Sequence, residues 1–163
     1  MGDYRAKFDL EKTVDSARDG RFGIIASRFN QRIVEPLLDG ALDALTQHGI
    51  ARTAIKIVRV PGAFEIPLVA QRLAASEQFD AVIALGAVVR GDTPHFDYVA
   101  GECARGIAKV GLDFSLPVIF GVLTVDDMEQ AMARAGGREG NKGYDAALAA
   151  LEMVALLRSL QAP

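Results

Sequence analysis

Short apolar runs alternate with longer segments of helical periodicity along most of this chain, starting near residue 21. Four runs have the length and composition of buried strands, at residues 21–27, 54–60, 80–89 and 117–124. Between and after them, apolar residues recur every three or four positions, which predicts helices. These predicted helices cover residues 31–49, 65–75, 97–112, 126–135 and 144–160.

Strand–helix alternation at this spacing predicts the α/β fold class. Parallel strands need crossover connections, and right-handed crossovers place helices on both faces of the sheet. We therefore expect a three-layer αβα sandwich around a four-stranded parallel sheet, with flavodoxin-like or Rossmann-like topology.

The first twenty residues differ from the rest because they are polar and mixed in charge. Within them, RAKFDLEK (residues 5–12) alternates polar and apolar side chains, as an exposed edge strand would. We predict an N-terminal arm over residues 1–20, either a loose tail or an arm that pairs with a neighbour's sheet. A single domain is expected over residues 21–163.

Composition and charge argue against several classes of protein. The 163 residues are 50% hydrophobic with a mean hydropathy of +0.19, enough for a full core and some apolar surface shared between subunits. A net charge of −3 argues against nucleic acid and anionic membranes as partners. Neither a membrane-spanning run nor a secretory signal is expected. Cys103 is the only cysteine, so no disulfide can form within the chain, and we expect a cytoplasmic protein.

The segment GDTPHFDY (residues 91–98) holds the strongest candidate for chemistry. His95 follows a predicted buried strand, and open α/β sheets bind ligands beyond the carboxyl ends of their strands. Its imidazole can transfer protons near neutral pH. A lone histidine in a loop is more often structural than catalytic, but this position favours a catalytic role. His48 precedes Gly49 at a predicted helix end, and we interpret it as structural.

Two glycine-containing turns carry groups that could bind an anion. In GDT, backbone N–H groups and the Thr93 hydroxyl could hold phosphate, although the Asp92 carboxylate would repel it unless it points away. Arg134 and Lys142 bracket GGREGN and could grip a phosphate group. The alternatives are a plain turn at GDT and solvated surface charges around GGREGN.

Aromatic residues near strand ends are candidates for stacking on a planar ligand. Phe29, Phe64 and Phe120 could stack on a heterocycle, or could simply pack in the core. Glu65, at the start of a predicted helix, could complement the helix dipole or accept hydrogen bonds from ligand N–H groups. The chain has no P-loop, GxGxxG or GxSxG motif, and its scattered histidines and cysteine argue against a zinc site.

Five segments, taken in order, resemble the lumazine synthase family. Each segment alone is moderately specific, and all five in order are very specific. The similarity extends from about residue 21 to residue 158. The segments are RFN (28–30), PGAFEIP (61–67), LGAVVRGDTPHFDYV (85–99), PVIFGVLT (117–124) and RAGGREGNKG (134–143).

The resemblance implies a flavodoxin-like fold and a transferase activity in riboflavin biosynthesis. The implied reaction is the penultimate step, in which 5-amino-6-(D-ribitylamino)uracil condenses with 3,4-dihydroxy-2-butanone 4-phosphate. Its products are 6,7-dimethyl-8-ribityllumazine, phosphate and water. No metal and no organic cofactor is implied.

The resemblance also assigns roles to individual residues. His95 would be the catalytic proton donor, and Phe29 would stack on the pyrimidine. Asp92 occupies a phosphate-contact position that varies in the family, so its backbone is the implied contact. The remaining implied substrate contacts are Ala63, Phe64 and Glu65 for the ribityl chain, Ala87, Val88, Val89 and Phe120 for the ring, and Thr93, Arg134 and Lys142 for the phosphate.

The same resemblance implies a homopentamer with its active sites between adjacent subunits. The turn GGREGNKG is close to that of members that build icosahedral shells, although Arg138 stands where those usually have lysine. A 60-subunit shell is our first expectation and a bare pentamer the second. The Ala- and Gly-rich helices fit either core packing or contact between subunits, and riboflavin synthase is a candidate partner.

Three other functions stay open on the sequence. A flavodoxin-like electron carrier would bind flavin, and the loss of His95 would not matter to it. A shell protein with vestigial catalysis would form no product. A related riboflavin-pathway enzyme would consume the lumazine instead of forming it.

Overall fold

The computed structural model describes residues 10–161, and a parallel sheet lies at its centre. In this part of the chain, four strands pair in the order β2-β1-β3-β4, all parallel, and a short antiparallel ribbon, β5–β6, precedes the last helix. None of the described helices is both long and apolar enough to cross a membrane. The elements are α1 (Leu10–Val14), β1 (Phe22–Ser27), α2 (Gln31–Gln47), β2 (Ile55–Val60), α3 (Ile66–Ala75), β3 (Ala81–Val89), α4 (His95–Phe114), β4 (Val118–Val125), α5 (Met128–Arg134), β5 (Ala135–Gly137), β6 (Gly140–Asn141) and α6 (Lys142–Gln161).

Two layers of helices bury opposite faces of the same strands. In β1, Ile24 and Ala26 pack in the cluster formed with α1, α2 and α6, whereas Ile25 packs in the cluster formed with α3 and α4. Successive strand residues point to opposite faces, so a strand that is covered on both faces is apolar at every position. This explains the continuous apolar runs of β1 and β3, and it confirms the predicted α/β three-layer sandwich.

Backbone hydrogen bonds extend the sheet beyond the carboxyl ends of its strands. The N–H groups of Arg28 and Phe29 donate to the carbonyls of Val60 (2.8 Å) and Pro61 (2.9 Å). The loops after β1 and β2 therefore leave the sheet side by side, at the edge where α/β folds bind ligands.

The side chain of Asn141 fixes the last helix to α2. Its Oδ1 accepts hydrogen bonds from the N–H groups of Gly143 (2.9 Å) and Tyr144 (3.1 Å), which caps α6. Its Nδ2 donates to the Pro36 carbonyl of α2 (2.9 Å). Gly40 leaves room for this side chain, because a Cβ there would lie 2.4 Å from the Asn141 Oδ1. Core packing therefore accounts for small residues where α2 and α6 meet.

The starts of helices α4 and α6 differ from the sequence predictions. Helix α4 begins at His95, two residues earlier than expected, so His95 is the first helical residue and not a loop residue. Its N–H donates to the Thr93 hydroxyl (3.4 Å), which supports this early start. Helix α6 begins at Lys142 because Asn141 caps it, so the predicted glycine-rich turn gives way to the β5–β6 ribbon and then directly to the helix.

The prediction of an edge strand over residues 5–12 is wrong where the structure describes it. Leu10–Val14 is the helix α1, a 3-10 turn follows at Asp15–Ala17, and the rest of the predicted strand lies outside the described residues. Val14 and Ala17 lie one helical turn apart and are buried against the core formed with α2 and α6. The burial of Val14 and Ala17 therefore favours a helix here, although the alternation of polar and apolar residues before them is typical of a strand.

We predict that Gly40→Ala and Asn141→Ala are strongly coupled. A methyl group at position 40 expels the Asn141 side chain, so each single change loses the cap of α6, at a cost of about 1–2 kcal/mol. Once Asn141 is absent, Gly40→Ala costs nothing further and contributes up to about 1 kcal/mol of helix propensity. Urea unfolding of the two single variants and the double variant measures this. Simple addition of the two single effects would contradict it.

Candidate active site

A cavity of about 680 Å³ opens at the carboxyl edge of the sheet, and we call it the edge cavity. The segments after β1, β2 and β3 and the first turns of α4 form its walls. Mostly apolar walls with a few polar groups are typical of sites for small molecules. The residues that line it are Phe29, Pro61, Gly62, Ala63, Phe64, Glu65, Ala87, Val88, Val89, Gly91, Thr93, His95, Phe96, Tyr98 and Val99.

Three large aromatic side chains of the edge cavity are mostly exposed. Phe29 is 71% exposed, Phe64 57% and Tyr98 71%. Exposed apolar groups gathered in one place mark a surface that binds a ligand or a partner. Their ring faces can stack on a planar heterocycle.

Asn30 fixes the mouth of the edge cavity, although the sequence analysis gave it no role. Its backbone is left-handed (φ 57°), a conformation that Asn tolerates better than most residues, and it turns the chain directly from Phe29 into α2. Its Nδ2 donates to the Ala87 carbonyl (2.8 Å). Asn30 therefore ties the end of β1 to the end of β3. Asn between a strand and a helix was the signal that could have identified it.

Glu65 lies in the 3-10 turn Ala63–Glu65, which leads into α3. Its carboxylate folds back over Gly62, where an added Cβ would lie 3.2 Å from Oε2. Within the described residues, the Glu65 carboxylate forms no ion pair, so it is a ready acceptor for hydroxyl or N–H donors in the edge cavity.

His95 brings a titratable ring to the edge cavity. It is exposed, at the amino end of α4, and its imidazole makes no hydrogen bond to any described residue. The ring is therefore free to exchange protons with a bound molecule. Thr93, two residues before it, lines the same cavity, and the amino end of α4 adds a partial positive charge that favours anions.

The predicted anion nest at residues 91–93 does not use a left-handed glycine. Among the described glycines, positive φ angles occur at Gly49, Gly136 and Gly140, and Gly91 is not one of them. A Cβ at Gly91 would have no neighbour within 4 Å. Anion attraction at this end of the cavity therefore depends on the helix terminus and the Thr93 hydroxyl.

Other candidate residues line a second cavity of about 440 Å³, which runs along the outer strand β4; we call it the β4 cavity. Its residues are Ile119, Phe120, Gly121, Val122, Leu123, Thr124, Val125, Arg134, Lys142, Asp145, Ala146 and Ala149. Phe120 is the third residue of β4, near its amino end and not its carboxyl end.

The basic side chains of the β4 cavity are only partly engaged. Arg134 Nη1 donates to the Gln130 carbonyl (3.1 Å), and Lys142 Nζ lies 3.2 Å from the Asp145 carboxylate. A guanidinium group has five N–H donors, so Arg134 keeps donors for an anion. Together with the Lys142 ammonium, which is paired with Asp145, these donors enable the β4 cavity to hold a phosphate group.

The structure therefore divides the candidate residues into two groups. Phe29, Ala63, Phe64, Glu65, Ala87, Val88, Val89, Thr93 and His95 line the edge cavity, whereas Phe120, Arg134 and Lys142 line the β4 cavity. Asp92 is exposed and lines neither. Within one chain, the histidine and the arginine do not share a cavity.

Cys103 offers no alternative chemistry. It is buried in α4, and burial raises the pKa of its thiol to about 11. The group is therefore protonated at neutral pH and cannot act as a nucleophile. Within residues 10–161, no three His, Cys, Asp or Glu side chains gather in a way that could hold a metal ion.

Comparison with known families finds a match over most of the chain. Residues 19–158 match the family described as 6,7-dimethyl-8-ribityllumazine synthase. The matched range includes every residue that lines the edge cavity and the β4 cavity.

Proposed function

The chain belongs to the 6,7-dimethyl-8-ribityllumazine synthase family, and we propose that it condenses 5-amino-6-(D-ribitylamino)uracil with 3,4-dihydroxy-2-butanone 4-phosphate. The products are 6,7-dimethyl-8-ribityllumazine, phosphate and water. It is a transferase of riboflavin biosynthesis, and its family implies small-molecule substrates and oligomers.

The division of polar groups between two cavities carries this proposal. The edge cavity has the proton-transfer group His95 and the stacking ring Phe29, and the β4 cavity has the phosphate-binding Arg134. A condensation of a heterocycle with a phosphorylated ketone needs all three around one reacting centre. We therefore propose that the edge cavity of one subunit closes against the β4 cavity of its neighbour.

The edge cavity fits the pyrimidine substrate. Phe29 stacks on the ring, and the neighbour's copy of Phe120 adds a second aromatic face. The Glu65 carboxylate and the backbone of Ala63 and Phe64 bind the ribityl hydroxyl groups. Backbone groups of residues 87–89 bind the polar edge of the ring.

The phosphate lies where the two subunits meet. Arg134 and Lys142 of the neighbour bind its oxygens, and Thr93 and the backbone of Asp92 bind them from the edge cavity. The amino end of α4 adds to the attraction. Arg134 also stabilises the charge of the phosphate as it leaves.

The chemistry consists of proton transfers between groups that are held in register. The amine attacks the ketone, one water leaves to give an imine, phosphate is eliminated, and the second amine closes the ring on the remaining carbonyl with loss of a second water. His95 donates and accepts the protons of these steps. Much of the acceleration comes from holding two reactive molecules together in one orientation, which requires no further catalytic group.

The assembly follows from the same shared site. We propose a homopentamer, and a 60-subunit icosahedral shell of pentamers, in the cytoplasm, with riboflavin synthase as a candidate partner. We propose one lumazine synthase domain over residues 21–163 and an arm over residues 1–20. The described part of that arm, α1 and the turn after it, packs on α6. Exposed apolar residues on α4 and β4, including Leu112 and Phe120, support contact between subunits.

We predict that His95→Ala slows lumazine formation about 10- to 100-fold, because orientation of the substrates survives while proton transfer is lost. The assay follows the absorbance and fluorescence of the product after the two substrates are mixed. His48→Ala is the matched control, since the His48 ring contacts the Ala44 carbonyl (2.7 Å) at the end of α2, away from both cavities. Equal activity of the His95 variant and wild type would remove His95 from the mechanism.

We predict that Arg134→Ala raises the KM for the phosphorylated ketone about 10- to 100-fold, through the loss of charge-assisted hydrogen bonds. The KM for the pyrimidine changes little. Arg138→Ala is the matched control, because Arg138 lies four residues away and lines neither cavity. An effect confined to the pyrimidine would contradict the assignment of Arg134.

A further inference from the structure

The geometry points to Arg90 as a positioning residue that fixes the first turn of α4, and with it His95, against the end of β4. Arg90 follows β3 directly and touches neither the substrates nor the reacting atoms in the arrangement proposed above. The role of its target, His95, rests on the proposed function. The fixing of the turn itself rests on the contacts of Arg90.

Arg90 contacts both the end of β4 and the first turn of α4. Its backbone N–H donates to the Val125 carbonyl (2.9 Å), and its Nε donates to the Asp126 carboxylate (3.0 Å), both at the end of β4. Its Nη1 lies 3.5 Å from the Asp97 carboxylate, and its guanidinium carbon lies 4.3 Å from the centre of the Phe96 ring. Phe96 and Asp97 follow His95 immediately, so Arg90 grips the turn that carries the imidazole.

Few other contacts hold residues 91–95, although Phe96 packs against the core formed with α3 and α4. Residues 91–95 are exposed, and no side chain caps the amino end of α4 at its N-cap residue, Pro94. The hydrogen bond from His95 N–H to Thr93 is long, at 3.4 Å. Because the loop has so little packing of its own, its position depends on Arg90.

The contacts of Arg90 also extend to α5, the helix that ends with Arg134. The Asp126 N–H donates to the Gln130 side chain (2.9 Å), and the Gln130 carbonyl accepts the hydrogen bond from Arg134 (3.1 Å). A chain of contacts thus runs from α4 through Arg90 and Asp126 to the end of α5. One guanidinium group aligns both cavities of a subunit.

The contribution of Arg90 is positional and adds little to folding. The Arg90 side chain is 48% exposed, and its two carboxylate partners are more exposed still. Exposed ion pairs contribute little to folding stability, so the fold survives without them. The Asp126 hydrogen bond, then the nearby carboxylates, raise the pKa of Arg90, so its charge is permanent.

A lysine at position 90 cannot replace the arginine. A lysine cannot bridge two carboxylates and stack on a ring at once, because it lacks the planar fork of the guanidinium group.

The test compares Arg90→Ala and Arg90→Lys with wild type in the assembled protein. Hydrogen–deuterium exchange by mass spectrometry follows the peptides that cover residues 91–98, and steady-state assays give kcat and both KM values. Arg105→Ala is the matched control. Arg105 is an exposed arginine on α4, and it pairs with Glu102.

We expect Arg90→Ala to speed exchange in residues 91–98 several-fold and to lower kcat about 10- to 100-fold, with the pyrimidine KM nearly unchanged. Arg90→Lys keeps most of the faster exchange and most of the loss of kcat. Added guanidinium restores part of the kcat of Arg90→Ala. Arg105→Ala behaves as wild type. Unchanged exchange and unchanged kcat in Arg90→Ala would overturn the inference, as would full activity of Arg90→Lys.

Two further outcomes separate this inference from the proposed function. If wild type forms no lumazine but Arg90→Ala still loosens residues 91–98, the proposed function fails and the fixing of the turn stands. If Arg90→Ala loses thermal stability, exchange in residues 91–98 and kcat are measured in Asp126→Ala, which removes the acceptor of the Arg90 Nε–H bond and keeps Arg90. Wild-type exchange and kcat in Asp126→Ala would then reject the role of Arg90.

Discussion

Burial of both faces of one parallel sheet is the constraint from which the rest of this structure follows. The helix layers formed by α2 and α6 on one side and by α3 and α4 on the other cover both faces of the central strands β1 and β3, and leave no face of these two strands for a ligand. Chemistry is therefore confined to the ends of the strands and to the outer strands, β2 and β4. The edge cavity and the β4 cavity lie at these two places.

This confinement explains why one subunit carries the components of a site without assembling them. His95 belongs to the carboxyl edge, and Arg134 belongs to the open side of β4. In the proposed arrangement, two copies of the chain bring these groups together, because one copy presents its carboxyl edge to the other copy's β4. The same proposed arrangement accounts for the apolar composition of the chain and its exposed aromatic rings, since surfaces that a neighbour covers need not be polar.

Positions within each cavity depend on single polar side chains that join segments far apart in sequence. Asn30 joins the end of β1 to Ala87 of β3, and Asn141 joins α6 to Pro36 of α2. Arg90 joins the start of α4 to the end of β4. Asn30 and Asn141 are partly buried and Arg90 is exposed, and each fixes how one element lies against another.

The sequence predicts the layers of this fold well because burial on both faces leaves continuous apolar runs, as in β1 and β3. It also predicts His95 at the ligand-binding edge, since that position follows from the end of β3. The separation of Arg134 from His95 could not be predicted, because it depends on the strand order 2-1-3-4, which periodicity does not encode. Arg90 was missed because its partner Asp126 lies 36 positions away, and the early start of α6 because it depends on the cap by Asn141.

Mixed assemblies of two inactive variants test the shared site most directly. His95→Ala and Arg134→Ala chains, each with its own tag, are co-expressed, and assemblies that contain both are purified and assayed for lumazine formation. A site built from two chains regains an intact histidine and an intact arginine at about one quarter of the interfaces, so activity rises well above that of either variant alone. Mixed assemblies no more active than the two separate variants would show that each chain completes its own site.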